Sequence, residues 1–174
     1  MATAEAATPT PAAPEPGWAG GVFIALGSNV EPREAHIRSA LAAVAERADC
    51  RIVSVSSLHE TAPLGGPAGQ GMFLNAVAEL GTQLPPAELL AALLTIEAQH
   101  GRIRRERNGP RTLDLDLLLY GTRVLDSPAL TLPHPRMWER SFVMEPLREI
   151  CAAERLNSIR AATAAVGAQC RRVQ

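Results

Sequence analysis

The sequence predicts an α+β fold, a β-α-β-β-α-β series that forms a ferredoxin-like sandwich and is followed by a C-terminal extension. Three observations predict it. Short apolar runs alternate with stretches of helical periodicity, and Gly/Pro clusters separate the two. At 174 residues the chain suits one domain that buries a core without disulfides or structural metals. The antiparallel sheet is expected to carry its helices on one face.

Residues 1–20 hold two Glu, four Pro and no Arg. They lack the basic start and apolar stretch of a signal peptide and the arginines of a mitochondrial presequence, so they read as a disordered Ala/Pro tail. Val22–Leu26 is a first strand, stopped by Gly27-Ser28-Asn29. Pro32 stands where a first helical turn tolerates it, and Ile37, Leu41, Val44 and Ala48 follow at helical spacing. Ile52–Leu58 is rich in β-branched residues and reads as a strand. Residues 61–71, with four glycines and two prolines, form a long loop of the kind that often carries function. Phe73–Leu80 is the next strand. Pro85-Pro86 opens a helix that runs to His100, with Leu89, Leu93 and Ile96 buried and Gly101 as its stop. Thr112–Tyr120 is the fourth strand. The domain proper spans residues 21–150, with an extended piece at Arg123–Leu125, a Pro-rich loop at 132–135 and a helix around Phe142–Ile150. Residues 151–174, rich in Ala and Arg, read as a helical surface segment.

Composition narrows the chemistry. The net charge is −1, which argues against binding nucleic acid or a membrane through overall charge. No lysine is present among the 17 basic residues. That excludes a Walker-A lysine, a protein-kinase strand lysine and Schiff-base catalysis. An enzyme of this composition that uses nucleotides must hold phosphates with arginine, metal ions and backbone N–H groups. Cys50, Cys151 and Cys170 match neither zinc spacing nor a disulfide framework, which suits a cytoplasmic protein with free thiols.

The stretch Gly101–Tyr120, GRIRRERNGPRTLDLDLLLY, is the most informative. Arg102, Arg104, Arg105, Arg107 and Arg111 directly precede a strand that carries Asp114 and Asp116. Residues two apart on a strand share a face, so the aspartates project together while Leu113, Leu115 and Leu117 face the other side. Two such carboxylates repel each other unless a cation or arginines neutralise them. Oxygen-only ligands in a half-open site suit Mg²⁺, and flanking arginines add forked donors to phosphate. These parts match phosphoryl transfer. A structural salt-bridge network is the alternative, and the cost of burying two carboxylates in so apolar a strand weighs against it. RNA binding by the arginine cluster is disfavoured, because aromatic content is 3% and no stacking signature is present. Glu97, at the edge of a buried helical stripe, is either a solvated flank residue or a site residue beside Arg102. His134, between two prolines, is equally open to a ligand-facing or a surface role. Gly27-Ser28-Asn29 lacks the flanking glycines of a nucleophile elbow.

Five ordered motifs carry a family resemblance: ALGSN (25–29), TAPLG (61–65), FLNAV (73–77), GRIRRERNGPRTLDLDLLLYG (101–121) and LPHPRMWERSFVMEPL (132–147). Over about residues 21–150 the chain resembles the 6-hydroxymethyl-7,8-dihydropterin pyrophosphokinases of folate biosynthesis. The resemblance implies a ferredoxin-like fold and transfer of diphosphate from ATP to the pterin hydroxymethyl group. It implies that Asp114 and Asp116 hold two Mg²⁺ ions, that Arg102 and Arg111 stabilise the transferring group, and that Arg104 assists. Glu97, Thr131, His134 and Arg140 match nucleotide-side positions. Thr61, Leu64, Phe73, Asn75 and Phe142 match the pterin side, with the ring between the two phenylalanines. Departures from the family pattern fall at Leu94, Asn108, Ala129 and Pro135, and Phe73 stands where Tyr is common. The partners expected are ATP and the pterin alone: no nucleic acid, no membrane and no fused folate enzyme, with the chain a monomer.

Overall fold

The computed structural model describes residues 16–101 and 109–170. Strand β1 (Ala19–Ser28) leads to helix α1 (Arg33–Ala45), β2 (Cys50–Val55) and a short β3 (His59–Thr61). Then come β4 (Phe73–Thr82), α2 (Pro86–Gln99) and β5 (Asp114–Tyr120). A two-residue ribbon, β6 (Leu125–Asp126) with β7 (Thr131–Leu132), precedes α3 (Ser141–Ile150) and α4 (Ala153–Cys170). The main sheet runs β2-β4-β1-β5 with every pairing antiparallel, and β3 adds to β4. This is the element order that the sequence predicts.

Three particulars differ. Strand β1 begins at Ala19, inside the segment expected to be tail. The strand expected over Ile52–Leu58 ends at Val55 and resumes as β3, because the Ser56 side chain closes onto the Val77 N–H at 2.9 Å and re-aims the chain. The third concerns the layers, since both faces of the sheet are covered.

Alternation along β1 explains the two layers. Val22, Ile24 and Leu26 enter a core with Ile37 and Val44 of α1 and Leu89 and Leu93 of α2. Phe23 points the other way, into a second core with Val77, Leu118 and Leu119 beneath Val143, Met144 and Leu147 of α3 and Leu156 and Ile159 of α4. This second layer covers one end of the sheet. At the other end, where β1 finishes and β4 and β5 start, the same face carries Ala25, Gly27, Asn75, Asp114 and Asp116. A cleft opens there.

Candidate active site

Sheet register builds the floor of the cleft. Gly27 of β1 lies between Asn75 of β4 and Asp114 of β5, and Ala25 pairs with Asp116. Residue size matters at Gly27, because a Cβ there would stand 3.3 Å from Asn75 Oδ1 and 3.9 Å from Asp114 Cβ. The floor is left shallow between an amide and a carboxylate. Thr61, Leu64, Phe73, Arg111, Arg136, Arg140 and Phe142 complete the walls of an open cleft of about 820 Å³, its mouth included.

The two sides of the cleft differ chemically. On one, Phe73 and Phe142 supply aromatic walls, and Asn75, 6% exposed, donates Nδ2–H to Thr61 Oγ1 at 2.8 Å. On the other, Asp114 and Asp116 project from one face of β5, as the period of two predicts. Arg111 forms an ion pair with Asp114, and Arg140 Nη1 lies 3.6 Å from Asp116. Arg140 also sits over the Phe142 ring at 5.6 Å, so it touches both sides. The carboxylate side chains remain 17% and 37% exposed at the cleft wall. Two such groups can bind a metal and leave its other positions to water and phosphate oxygens. No cluster of three or more His, Cys, Asp or Glu with metal-binding geometry occurs among the described residues. An all-oxygen, half-open pair fits Mg²⁺ and fits a closed zinc site poorly.

Some expected site residues lie further out. Glu97 is 2% exposed, which rules out a solvated flank role, and it does not line the cleft. Its Oε1 accepts the Leu115 N–H at 2.6 Å, which holds β5 at the residue between the two aspartates. Thr131 stands on β7, off the cleft wall, with Oγ1 3.5 Å from Asp126 Oδ1. His134 is half-buried and does not line the cleft. Burial lowers its pKa below the ordinary imidazole range, Asp116 opposes that shift, and Arg140 and Arg136 add to it. Its Nδ1 accepts the Arg136 N–H at 3.2 Å, so the neutral ring carries its proton on Nε2. Arg102 and Arg104 lie outside the described residues, as does Asn108.

Sequence reasoning missed two residues here. Arg136 lines the cleft, and its place in the LPHPRMWERSFVMEPL motif was the signal available for it. Asn29 bonds to both Arg111 and the 61–71 loop, which no local pattern announces.

Residues 23–152, more than half of the chain, match the family model for 7,8-dihydro-6-hydroxymethylpterin-pyrophosphokinase. The chain belongs to that family. It is 50% identical over 136 residues to a 2-amino-4-hydroxy-6-hydroxymethyldihydropteridine pyrophosphokinase of Pseudomonas aeruginosa, covering 78% of this chain and 83% of that protein. A Bacillus subtilis protein of the same name is 46% identical over 129 residues, with 74% and 77% covered. The mitochondrial folate synthesis bifunctional protein of Pisum sativum is 46% identical over 129 residues, and the match takes in 25% of its length. Among solved structures, an HPPK-DHPS in complex with substrates superposes with a TM-score of 0.57 at 12% identity, over 85% of this chain and 43% of that one. This last likeness bears on the fold, and it agrees with the sandwich described above. Membership makes the chain an ATP-dependent pyrophosphokinase, and the matched residues 23–152 contain every residue that lines the cleft.

Proposed function

We propose that the cleft binds ATP and 6-hydroxymethyl-7,8-dihydropterin side by side and transfers diphosphate from the first to the second. The observation that carries this reading is the meeting of an aromatic, amide-floored half with a carboxylate–arginine half in one cleft. A flat, nitrogen-rich ring suits the first half and a polyphosphate suits the second. Phe73 and Phe142 stack the pterin, Asn75 and Thr61 bond its polar edge, and Leu64 closes over it. Arg140 and His134 hold the nucleotide, His134 through its Nε2–H. Thr131 and Glu97 support that side from behind the wall.

In the reaction the hydroxymethyl oxygen forms a bond to the β-phosphorus of ATP. The bond from that phosphorus to the oxygen of the α-phosphate breaks, AMP leaves, and the hydroxyl proton is lost. Asp114 and Asp116 would hold Mg²⁺, two ions with ATP, which neutralises phosphate charge when bound. Arg111 exchanges its ion pair with Asp114 for the transferring group. Arg102 and Arg104 join it in this proposal, although both lie outside the described residues.

The test is product analysis with Mg-ATP and the pterin. AMP that depends on the pterin is the expected product, and ADP would indicate an ordinary kinase. Arg111→Ala should lower turnover on the order of 10²–10³-fold, equivalent to about 3–4 kcal/mol, and Asp116→Ala should lower it further. Near-normal turnover by Asp116→Ala would sink the metal assignment.

A further inference from the structure

We propose that Asn29 is a positioning residue that ties Arg111 to the root of the 61–71 loop; this rests on the pyrophosphokinase reading above. Asn29 is the first residue after β1 and is 6% exposed. Its Oδ1 accepts the Arg111 N–H at 2.7 Å, and its own N–H donates to the Arg111 carbonyl at 3.1 Å. Its Nδ2 donates in the opposite direction, to Gln70 Oε1 at 3.2 Å and to the Gly71 carbonyl at 3.3 Å. The two partner segments are 82 and 42 residues away in sequence. Both are held by one planar amide group, whose acceptor and donor cannot move independently.

The surroundings reinforce that link. The Asn29 carbonyl lies 3.1 Å from where a Cβ at Gly71 would stand, so the loop root packs directly on this turn. Arg33, the first residue of α1, donates Nη1–H to the Met72 carbonyl at 2.9 Å and to Glu60 at 2.7 Å. The C-terminal root of the loop is thereby pinned to the β1–α1 connection. Leu64, on the loop's other limb, stands 69% exposed at the cleft. Arg111 directly precedes the strand of the two aspartates and is paired to Asp114. Asn29 therefore sets the reach of the arginine and the pivot of the loop together, without itself lining the cleft.

Substitutions can separate its two halves. Asn29→Asp keeps the acceptor for the Arg111 N–H and loses the donor to the loop, whereas Asn29→Ala loses both. Three readouts apply: hydrogen exchange at Arg111 and at residues 70–72, kcat with KM for each substrate, and the urea midpoint. Asn29→Ala should speed exchange at both places and lower kcat about tenfold, as misplaced catalytic groups do. Asn29→Asp should keep Arg111 protected, recover part of kcat, and raise KM for the pterin. If Asn29→Ala keeps kcat and both KM values within about twofold of wild type while its urea midpoint falls, the residue is merely structural and the proposal is overturned. Should that variant fail to fold, Gln70→Ala replaces it. Faster exchange at residues 70–72 with a raised pterin KM supports the proposal, and unchanged values overturn it. A wild-type enzyme that makes no AMP would overturn the reading beneath it, an outcome distinct from an active enzyme that is indifferent to Asn29.

Discussion

At the scale of single residues, His134 shows how the cleft sets a protonation state. Its ring is pressed between burial and two arginines, which oppose the proton, and Asp116, which favours it. The net effect is a lowered pKa. The unfolded chain takes up a proton near pH 6.5, as a free imidazole does, while the folded chain resists until lower pH. The stabilisation is therefore complete above about pH 6.5 and is lost as pH falls through the lower folded value. Urea midpoints for wild type and His134→Gln at pH 7 and pH 5 test this. Wild type should lose more stability on acidification than the variant, and parallel losses would show that His134 is not the source. Other residues here were legible from the chain alone. Asp114 and Asp116 follow from a period of two within an apolar strand, and Phe73, Asn75 and Phe142 follow from the resemblance. Asn29 was not legible, because its partners are far away in sequence and its neighbours read as an ordinary turn. The burial of Glu97 was half legible: its helical stripe was clear, but its bond to Leu115 depends on how α2 lies against β5.

At the scale of elements, the order of strands and helices through β5 was readable from periodicity and from Gly and Pro punctuation. The second layer was not. Residues 153–170 are rich in alanine and show little amphipathic contrast, so nothing local marks the side that docks. Leu156 and Ile159 nevertheless fit under the sheet face opposite α1 and α2, beside Phe23, with α4 lying past the end of the family match. Arg155 helps to seat the helix, with its guanidinium 5.6 Å over the Phe23 ring and 3.8 Å from Glu79. Burial raises the pKa of the Glu79 carboxyl, and Arg155 partly offsets that shift. Helix α4 thus reaches the second core through Leu156 and Ile159, while most of its other described residues stay exposed. Leu156→Ala, at a site 5% exposed, should cost about 2–4 kcal/mol in urea unfolding while leaving kcat intact in the folded fraction. A loss below about 0.5 kcal/mol, the range of ordinary surface changes, would mean that the helix is an ornament on the domain.

At the scale of the whole molecule, the fold divides its labour along the sheet. One end is sealed by two layers of apolar side chains, and the other exposes small and charged residues from the same three strands. The rigid end fixes β1, β4 and β5, so Gly27, Asn75, Asp114 and Asp116 keep their register without help from a ligand. What remains adjustable is the roof. Leu64 is 69% exposed and Met72 is 42% exposed, although both belong to or border a loop at the cleft. Leaving such side chains in water forfeits hydrophobic free energy that a bound, flat ring could recover. Closure would also exclude water from a diphosphate in transit. The expectation is that residues 62–69 exchange their amide hydrogens quickly in the free enzyme. They should slow markedly once a non-hydrolysable ATP analogue and the pterin are both bound, and less with either alone. The rigid strands should change little under the same conditions. Exchange in the 62–69 loop that ignores both ligands would mean that the roof is fixed, and Leu64 would then be a surface residue with no part in holding the pterin.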